Sequence, residues 1–108
     1  MNLLIVDDEP TARTGLVRLC DGMADVHVVG QAGTGAGAIE AATSLRPDLM
    51  MLDADLPDMT GFDVLCALRR RLQRRTILLA ANAHEASRAF AAGAIDFLVK
   101  PRSEEHTS

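Results

Sequence analysis

The chain has 108 residues, of which 48% are hydrophobic and 24% are charged, a composition typical of one globular domain. Its formal net charge of -4 provides no overall attraction to nucleic acid or to an anionic membrane. No apolar run approaches the ~20 residues that span a bilayer, and no charged segment precedes an apolar one at the start of the chain. We therefore expect a cytoplasmic protein for which neither a membrane nor nucleic acid is a direct partner.

Five short apolar runs predict β-strands, because continuous apolar runs bounded by turn residues are typical of strands buried on both faces. They cover residues 3–6, 26–30, 49–53, 76–80 and 96–99. The segments between them have the apolar spacing of helices. Strands that alternate with helices predict an α/β fold in which a parallel sheet is covered on both sides.

The predicted helices have recognisable ends. The first begins near Pro10, because proline suits a first helical turn, and we expect Leu16, Val17, Leu19 and Cys20 to form its buried face. The second covers residues 35–45. The third begins after Thr60 as its N-cap and continues to an arginine-rich end. The fourth covers residues 84–92 and ends at Gly93.

Both cysteines, Cys20 and Cys66, are predicted to be reduced and buried.

The end of the chain differs from the rest. After Pro101 the sequence is RSEEHTS, which is polar, has no apolar face and is too short for a packed helix. We therefore expect a domain at residues 1–101 whose final helix is missing. Because one reading frame of a widely used sequencing adapter encodes RSEEHTS, the hypothesis for residues 102–108 is a non-native tail.

Charged residues stand at the ends of three of the apolar runs. Asp7 and Asp8 follow the first run, Asp53 ends the third, and Lys100 follows the fifth. Because the carboxyl ends of parallel strands share one edge of the sheet, these side chains should converge. Clustered carboxylates repel one another unless a cation is present, and Mg²⁺ prefers oxygen ligands. Lys100 should pair with Asp53 or with a bound phosphoryl group, so a carboxylate of this site is a candidate phosphoryl acceptor.

Three segments carry a family resemblance: LLIVDDEPTAR, RPDLMMLDADLPDMTGFDVL and AGAIDFLVKP. They resemble the signature regions of response-regulator receiver domains, and the likeness covers residues 2–101. It implies a flavodoxin-like, doubly wound, five-stranded parallel sheet with strand order 2-1-3-4-5. The segments DDEPTAR and AIDFLVKP are most similar to those of receivers attached to LytTR-type DNA-binding domains. A sensor histidine kinase and an effector domain absent from this sequence are the implied partners.

The resemblance also implies roles for individual residues. Asp53 would be the phosphoacceptor and Lys100 the contact to the phosphoryl group. Asp8 would bind Mg²⁺ directly, Asp7 through water, and Asp55 through its backbone carbonyl, and Asp53 is also expected among the metal ligands. These roles belong to a signalling domain that catalyses only its own phosphorylation and dephosphorylation, so we do not expect an enzyme with other substrates.

Three further positions concern the response to phosphorylation. Phe97 matches the aromatic switch position of receivers, and the bond between Lys100 and Pro101 is expected to be cis. Ala80 stands where receivers normally carry a serine or threonine whose hydroxyl follows the phosphoryl group. An alanine cannot donate that hydrogen bond, so we expect weaker coupling between the acceptor and Phe97.

Two alternatives remain open at this point. Asp53-x-Asp55 after an apolar strand is also similar to the motif of haloacid-dehalogenase-type phosphatases, with Asp53 as nucleophile and Asp55 as general acid. That motif normally lies near the N-terminus, and Asp7 and Asp8 would then have no role. The second alternative is a pseudo-receiver that acts only as an interaction module, which Ala80 and the missing helix favour and the intact acidic site disfavours.

Overall fold

The computed structural model describes residues 1–100, which form a parallel sheet of five strands in the order β2-β1-β3-β4-β5. The strands are β1 (Asn2–Val6), β2 (His27–Ala32), β3 (Leu49–Asp53), β4 (Thr76–Ala80) and β5 (Asp96–Val99). The predicted α/β fold and its strand order are confirmed. The bounds of the last three strands agree with the prediction, whereas β2 ends two residues later than predicted and pairs with β1 through a register shift between Leu3 and Leu4.

Five helices connect the strands: α1 (Pro10–Asp21), α2 (Gly35–Leu45), α3 (Gly61–Ala67), α4 (Arg70–Gln73) and α5 (Ala86–Ala91). A short 3₁₀ turn at Ala83–Glu85 precedes α5. Thr60 caps α3, as predicted, because its side chain accepts a hydrogen bond from the amide of Asp63. Gly93 has a φ of 104°, a left-handed conformation that favours glycine. Among the described residues, no helix is long and apolar enough to cross a membrane.

Two clusters of apolar side chains form the core, one on each face of the sheet. The larger cluster joins side chains of β1, β3 and β4 to α2, α3 and α5, and includes Leu4, Leu52 and Leu78. The smaller cluster packs α1 against the other face through Leu3, Ile5 and Cys20. Alternate residues of β1 thus enter opposite clusters, as expected for a strand covered on both faces.

Three predictions about the helices are wrong. Leu19, predicted to face the core, is 62% exposed, and Cys66, predicted to be buried, is exposed. The third helix also ends earlier than predicted, because Leu68 and Arg69 adopt extended conformations. The arginines predicted at the end of the third helix therefore lie mostly on α4 and in the turn after it, at Arg70, Arg71, Arg74 and Arg75. The side-chain amide of Gln73 donates to the carbonyls of Leu65 and Leu68, which satisfies the carbonyls at the end of α3.

The predictions about the end of the chain lie outside the described residues. These are the missing final helix, the non-native tail at residues 102–108 and the cis bond at Pro101.

Candidate functional site

Three aspartates meet at the carboxyl edge of the sheet. Asp7 follows β1 and Asp53 ends β3, and these two strands are neighbours in which Val6 lies opposite Leu52. One carboxylate oxygen from each of Asp7, Asp8 and Asp53 lies within 4.8 Å of the other two. The predicted convergence of these side chains is therefore observed.

The three aspartates differ in exposure. Asp7 is 1% and Asp53 4% exposed, whereas Asp8 is exposed. Two buried carboxylates side by side cost free energy unless hydrogen bonds and a positive charge compensate them. The surrounding groups supply that compensation.

Lys100 brings the positive charge into the cluster. Its Nζ donates to Asp7 Oδ2 at 2.9 Å and to Asp53 Oδ2 at 3.3 Å. The predicted pair with Asp53 is present, but Asp7 is the closer partner. Lys100 follows β5, and its backbone amide donates to the carbonyl of Ala80 at 2.8 Å, which fixes the lysine at this edge of the sheet.

Backbone amides satisfy the remaining oxygens of the two buried carboxylates. Glu9 N donates to Asp7 Oδ1 at 2.9 Å, and Asp55 N donates to Asp53 Oδ1 at 3.1 Å. In both cases the donor is two residues beyond the aspartate, at the start of the loop that follows the strand. Each carboxylate therefore has one oxygen held by its own loop and one shared with Lys100.

The environment shifts two of the titrating groups. Burial raises the pKa of Asp53, and the amide of Asp55 and the charge of Lys100 only partly oppose this. For Lys100, burial opposes the charged form, but the hydrogen bond to Asp7 and the negative charges of Asp53 and Asp7 outweigh it and raise the pKa. Lys100 is thus held as a cation beside Asp53, whose charge is incompletely compensated.

Sequence reasoning missed two residues of this site. Glu9 is exposed, and its Oε1 lies 4.0 Å from Lys100 Nζ. Arg13, on the first turns of α1, donates from Nη1 to the backbone carbonyl of Asp7 at 2.6 Å. Glu9 was detectable as a third consecutive acid after β1, whereas a side chain that donates to a backbone carbonyl leaves no pattern in the sequence.

The predicted switch positions lie beside the site. Ala80 ends β4 and is fully buried. Because Asp53 lies opposite Leu79 in the pairing of β3 with β4, Ala80 is next to the strand that carries Asp53. Phe97 lies opposite Leu78 on β5 and is partly buried against the larger core cluster, to which Ala80 also belongs. Asp55 is exposed in the loop after β3.

The donor set suits a hard divalent cation. The three carboxylates offer oxygen atoms only, and Mg²⁺ favours one or two carboxylates with its remaining positions filled by water. Asp8 is open to solvent, while Asp7 and Asp53 form the buried side of the cluster. These residues fit Mg²⁺ in both chemistry and spacing.

The chain is similar to known regulators over nearly its whole length. It is 38% identical over 106 residues to the nitrate/nitrite response regulator protein NarL of Escherichia coli, which covers 95% of this chain and 49% of that protein. It is 36% identical over 105 residues to the transcriptional regulatory protein BtsR of Salmonella typhi, which covers 97% of this chain and 44% of that protein. The chain thus spans less than half the length of these curated relatives.

Solved structures show the same likeness. The signal receiver domain of NarL from Mycobacterium tuberculosis superimposes with a TM-score of 0.84 at 32% identity, covering 96% of this chain and 86% of that one. The response regulator domain of CheB from Thermotoga maritima gives a TM-score of 0.83 at 29% identity, covering 95% and 80%. None of these names supports the LytTR-type output predicted from the sequence.

A family model decides the assignment. The model described as the response regulator receiver domain matches residues 3–107, almost the entire chain. The chain belongs to the response regulator receiver domain family of two-component signalling.

Proposed function

We propose that this domain accepts a phosphoryl group on Asp53 from a phosphohistidine of a sensor histidine kinase, with Mg²⁺ bound at the neighbouring carboxylates. The observation that carries the proposal is the shared contact of Lys100 with Asp7 and Asp53 inside a cluster of three carboxylates. An ammonium beside a carboxylate acceptor is the arrangement that phosphoryl transfer requires.

The proposed reaction transfers the phosphoryl group from a nitrogen of the donor histidine to an oxygen of Asp53. A carboxylate oxygen of Asp53 forms the new bond to phosphorus while the bond between phosphorus and the donor nitrogen breaks. The electron pair of that bond stays on the departing imidazole, which takes up a proton from water. Lys100 Nζ, which lies 3.3 Å from Asp53 Oδ2, then pairs with a phosphoryl oxygen.

The ion is assigned to the same edge of the sheet. Asp8 and Asp53 would bind it through side-chain oxygens, Asp7 through a water molecule and Asp55 through its backbone carbonyl. An ion held by these residues would supply positive charge to neutralise the transferring phosphoryl group. Asp7, Asp53 and Lys100 are already held by hydrogen bonds within the protein, so this part of the site needs little rearrangement to bind a ligand.

The role of the whole protein is a further proposal. We infer that phosphorylation of this domain controls an effector domain in a longer protein, because the relatives extend well beyond the matched region. A LytTR-type DNA-binding output rests only on the likeness of DDEPTAR and AIDFLVKP to such receivers. We also propose a cytoplasmic location, which is the usual one for response regulators of this family.

Incubation with acetyl phosphate and Mg²⁺ tests the acceptor directly. Intact-mass spectrometry should detect the mass of one phosphoryl group on the wild-type protein and on the control Asp21→Asn, whose exposed carboxyl lies at the end of α1. The variant Asp53→Asn should gain none. A wild-type protein that stays unmodified would instead support the pseudo-receiver alternative.

The phosphatase alternative is tested with the same protein. A receiver should release no more phosphate from p-nitrophenyl phosphate than a buffer control, whereas a haloacid-dehalogenase-type phosphatase should turn it over repeatedly. Repeated turnover that is lost in Asp53→Asn would overturn the proposed function.

A further inference from the structure

We propose that Asp58 is a positioning residue for the Mg²⁺ site, acting through the first turn of α2 without touching the ion. This inference rests on the proposed function. It concerns the loop of residues 54–60, which carries Asp55 and connects the acceptor strand β3 to α3.

Backbone contacts close the base of this loop. Gly61 N donates to the carbonyl of Ala54 at 2.7 Å, and Asp55 forms an isolated β-bridge with Thr60. Beside the acceptor, the amide of Asp55 donates to Asp53 Oδ1. The two ends of the loop are therefore fixed next to the acceptor, and only its tip needs an anchor elsewhere.

Asp58 supplies that anchor at the tip. Its Oδ1 accepts a hydrogen bond from Gly35 N at 2.7 Å, and its Oδ2 accepts one from Ala36 N at 3.0 Å. These partners are 23 and 22 residues away in the sequence. A carboxylate that accepts from the first amides of a helix also interacts favourably with the helix dipole.

Met59, the residue after Asp58, packs directly against the start of α2. Met59 packs on Gly35 so tightly that a Cβ added to the glycine would lie 2.2 Å from Met59 Cγ. Gly35 is buried, so no larger side chain fits there unless the Met59 side chain moves. The tip of the loop is thus held to α2 by two hydrogen bonds and by direct packing.

The turn between β2 and α2 also holds the other acidic loop. Ala32, which ends β2, accepts a hydrogen bond from Asp7 N at 3.0 Å. Arg13, which donates to the Asp7 carbonyl, lies against the next residue, since a Cβ on Gly33 would lie 3.1 Å from Arg13 Nη1. Ala32 and Gly33 therefore contact the side of the first acidic loop, and Gly35 and Ala36 contact the second.

The consequence for the metal site is geometric. The proposed ligands come from two separate loops, with Asp7 and Asp8 after β1 and Asp53 and Asp55 at the end of β3. An ion bound between them needs both loops at a fixed separation, and Asp58 ties the second loop to the turn that holds the first. Residues that orient metal ligands commonly alter metal affinity 10- to 100-fold when replaced.

Isothermal titration of Mg²⁺ into the metal-free full chain tests the inference. Asp58→Ala should raise the dissociation constant of Mg²⁺ on the order of tenfold. Asp58→Asn should show a smaller increase, because its amide oxygen can accept only part of the lost hydrogen bonds. Hydrogen exchange of the Gly35 and Ala36 amides in the metal-free protein should accelerate in Asp58→Ala.

Thr34→Ala is the matched control. Thr34 caps the same end of α2, since its Oγ1 accepts from Gly37 N at 3.0 Å, but the hydrogen bonds of its side chain do not involve the loop of residues 54–60. This variant should lower the thermal stability while its Mg²⁺ dissociation constant stays within about twofold of wild type, because it removes a helix cap alone.

The outcomes separate the two proposals. Wild-type Mg²⁺ affinity in Asp58→Ala, or an equal loss of affinity in Thr34→Ala, would overturn the positioning role. Mg²⁺ binding by the wild type without phosphorylation of Asp53 would overturn the proposed function and still allow the positioning role to be measured. A wild type that does not bind Mg²⁺ would overturn both.

Discussion

The backbone amide of Lys100 donates to the carbonyl of Ala80 at 2.8 Å, so the ends of β4 and β5 are joined beside the carboxylate cluster. Through this bond the lysine that pairs with Asp53 is fixed relative to a fully buried alanine. A side chain at position 80 therefore sits between the acceptor strand and the edge strand that carries Phe97.

Replacing Ala80 with threonine should restore a donor to the phosphoryl group. Because Asp53 lies opposite Leu79, a hydroxyl on the next residue can follow a phosphoryl group on the acceptor. We expect Ala80→Thr to enlarge the change in the NMR signals of the Phe97 ring on phosphorylation. Packing added atoms into this buried position should cost about 1–3 kcal/mol of unfolding free energy.

Ala80→Val separates the effect of the hydroxyl group from the effect of the added side-chain volume. Valine adds nearly the same volume but no hydrogen-bond donor, so it should share the loss of stability without the larger Phe97 response. A ring environment in Ala80→Thr that changes no more than in Ala80→Val would contradict the assigned relay.

Asp53→Asn should stabilise the metal-free protein. Burial raises the pKa of Asp53, so folding disfavours its ionised form, and that cost is present once the pH rises through the folded pKa. Asparagine removes the charge while its side-chain oxygen can still accept from Asp55 N. We expect the Tm of Asp53→Asn to exceed that of wild type at neutral pH.

The pH dependence checks this explanation. As the pH falls through the folded pKa of Asp53, the wild-type carboxyl becomes neutral, and the difference in Tm from Asp53→Asn should narrow. Calorimetry across this range measures it. A variant that melts below wild type at neutral pH would show that the contact with Lys100 outweighs the cost of burial.

The part of the site that could be predicted follows from one rule of parallel sheets. Apolar runs locate the strands, and charges at their ends must meet at one edge, so Asp7, Asp53 and Lys100 were found together. The rule identifies residues on strand ends only. It gives no information about contacts between loops, such as the bond from Asp58 to Gly35, which joins residues 23 positions apart.

The errors in the helices have a related cause. Apolar spacing identifies a face of α1 but not how far the neighbouring elements cover it, so Leu19 was placed in the core although it is 62% exposed. The break after α3 could not be predicted either, because it depends on Gln73, whose amide caps the carbonyls of Leu65 and Leu68 from the next helix.

Two glycine substitutions should have opposite effects on stability. Gly35→Ala would place a Cβ 2.2 Å from Met59 Cγ, so the Met59 side chain must shift, and we expect a loss of about 1–3 kcal/mol of unfolding free energy. Gly15 lies within α1, and among the described residues nothing outside its chain neighbours and its own helix backbone is within 4 Å of an added Cβ. Gly15→Ala should therefore gain up to about 1 kcal/mol from helix propensity. Urea denaturation of both variants measures the difference, and equal shifts would show that Met59 yields without cost.

The contact of Asp58 with α2 should weaken in acid. The amides of Ala36 and Gly35 lower the pKa of Asp58 below its ordinary value of 3.8. A carboxyl with a lowered folded pKa contributes stability that is fully present above the unfolded value and is lost as the pH falls through the folded value. Asparagine resembles the neutral acid, so the Tm of Asp58→Asn should lie below wild type at pH 7 and approach it in acid.

A second variant tests whether the two Tm values approach each other because Asp58 titrates. Thr34→Ala removes a cap from the same helix end without removing a titrating group, so its difference in Tm from wild type should stay nearly constant over the same pH range. Differential scanning calorimetry at a series of pH values measures both differences. The contrary result is a difference in Tm between Asp58→Asn and wild type that stays constant down to the lowest pH at which the protein folds. That result would show that the negative charge of Asp58 does not stabilise the contact between the loop and α2.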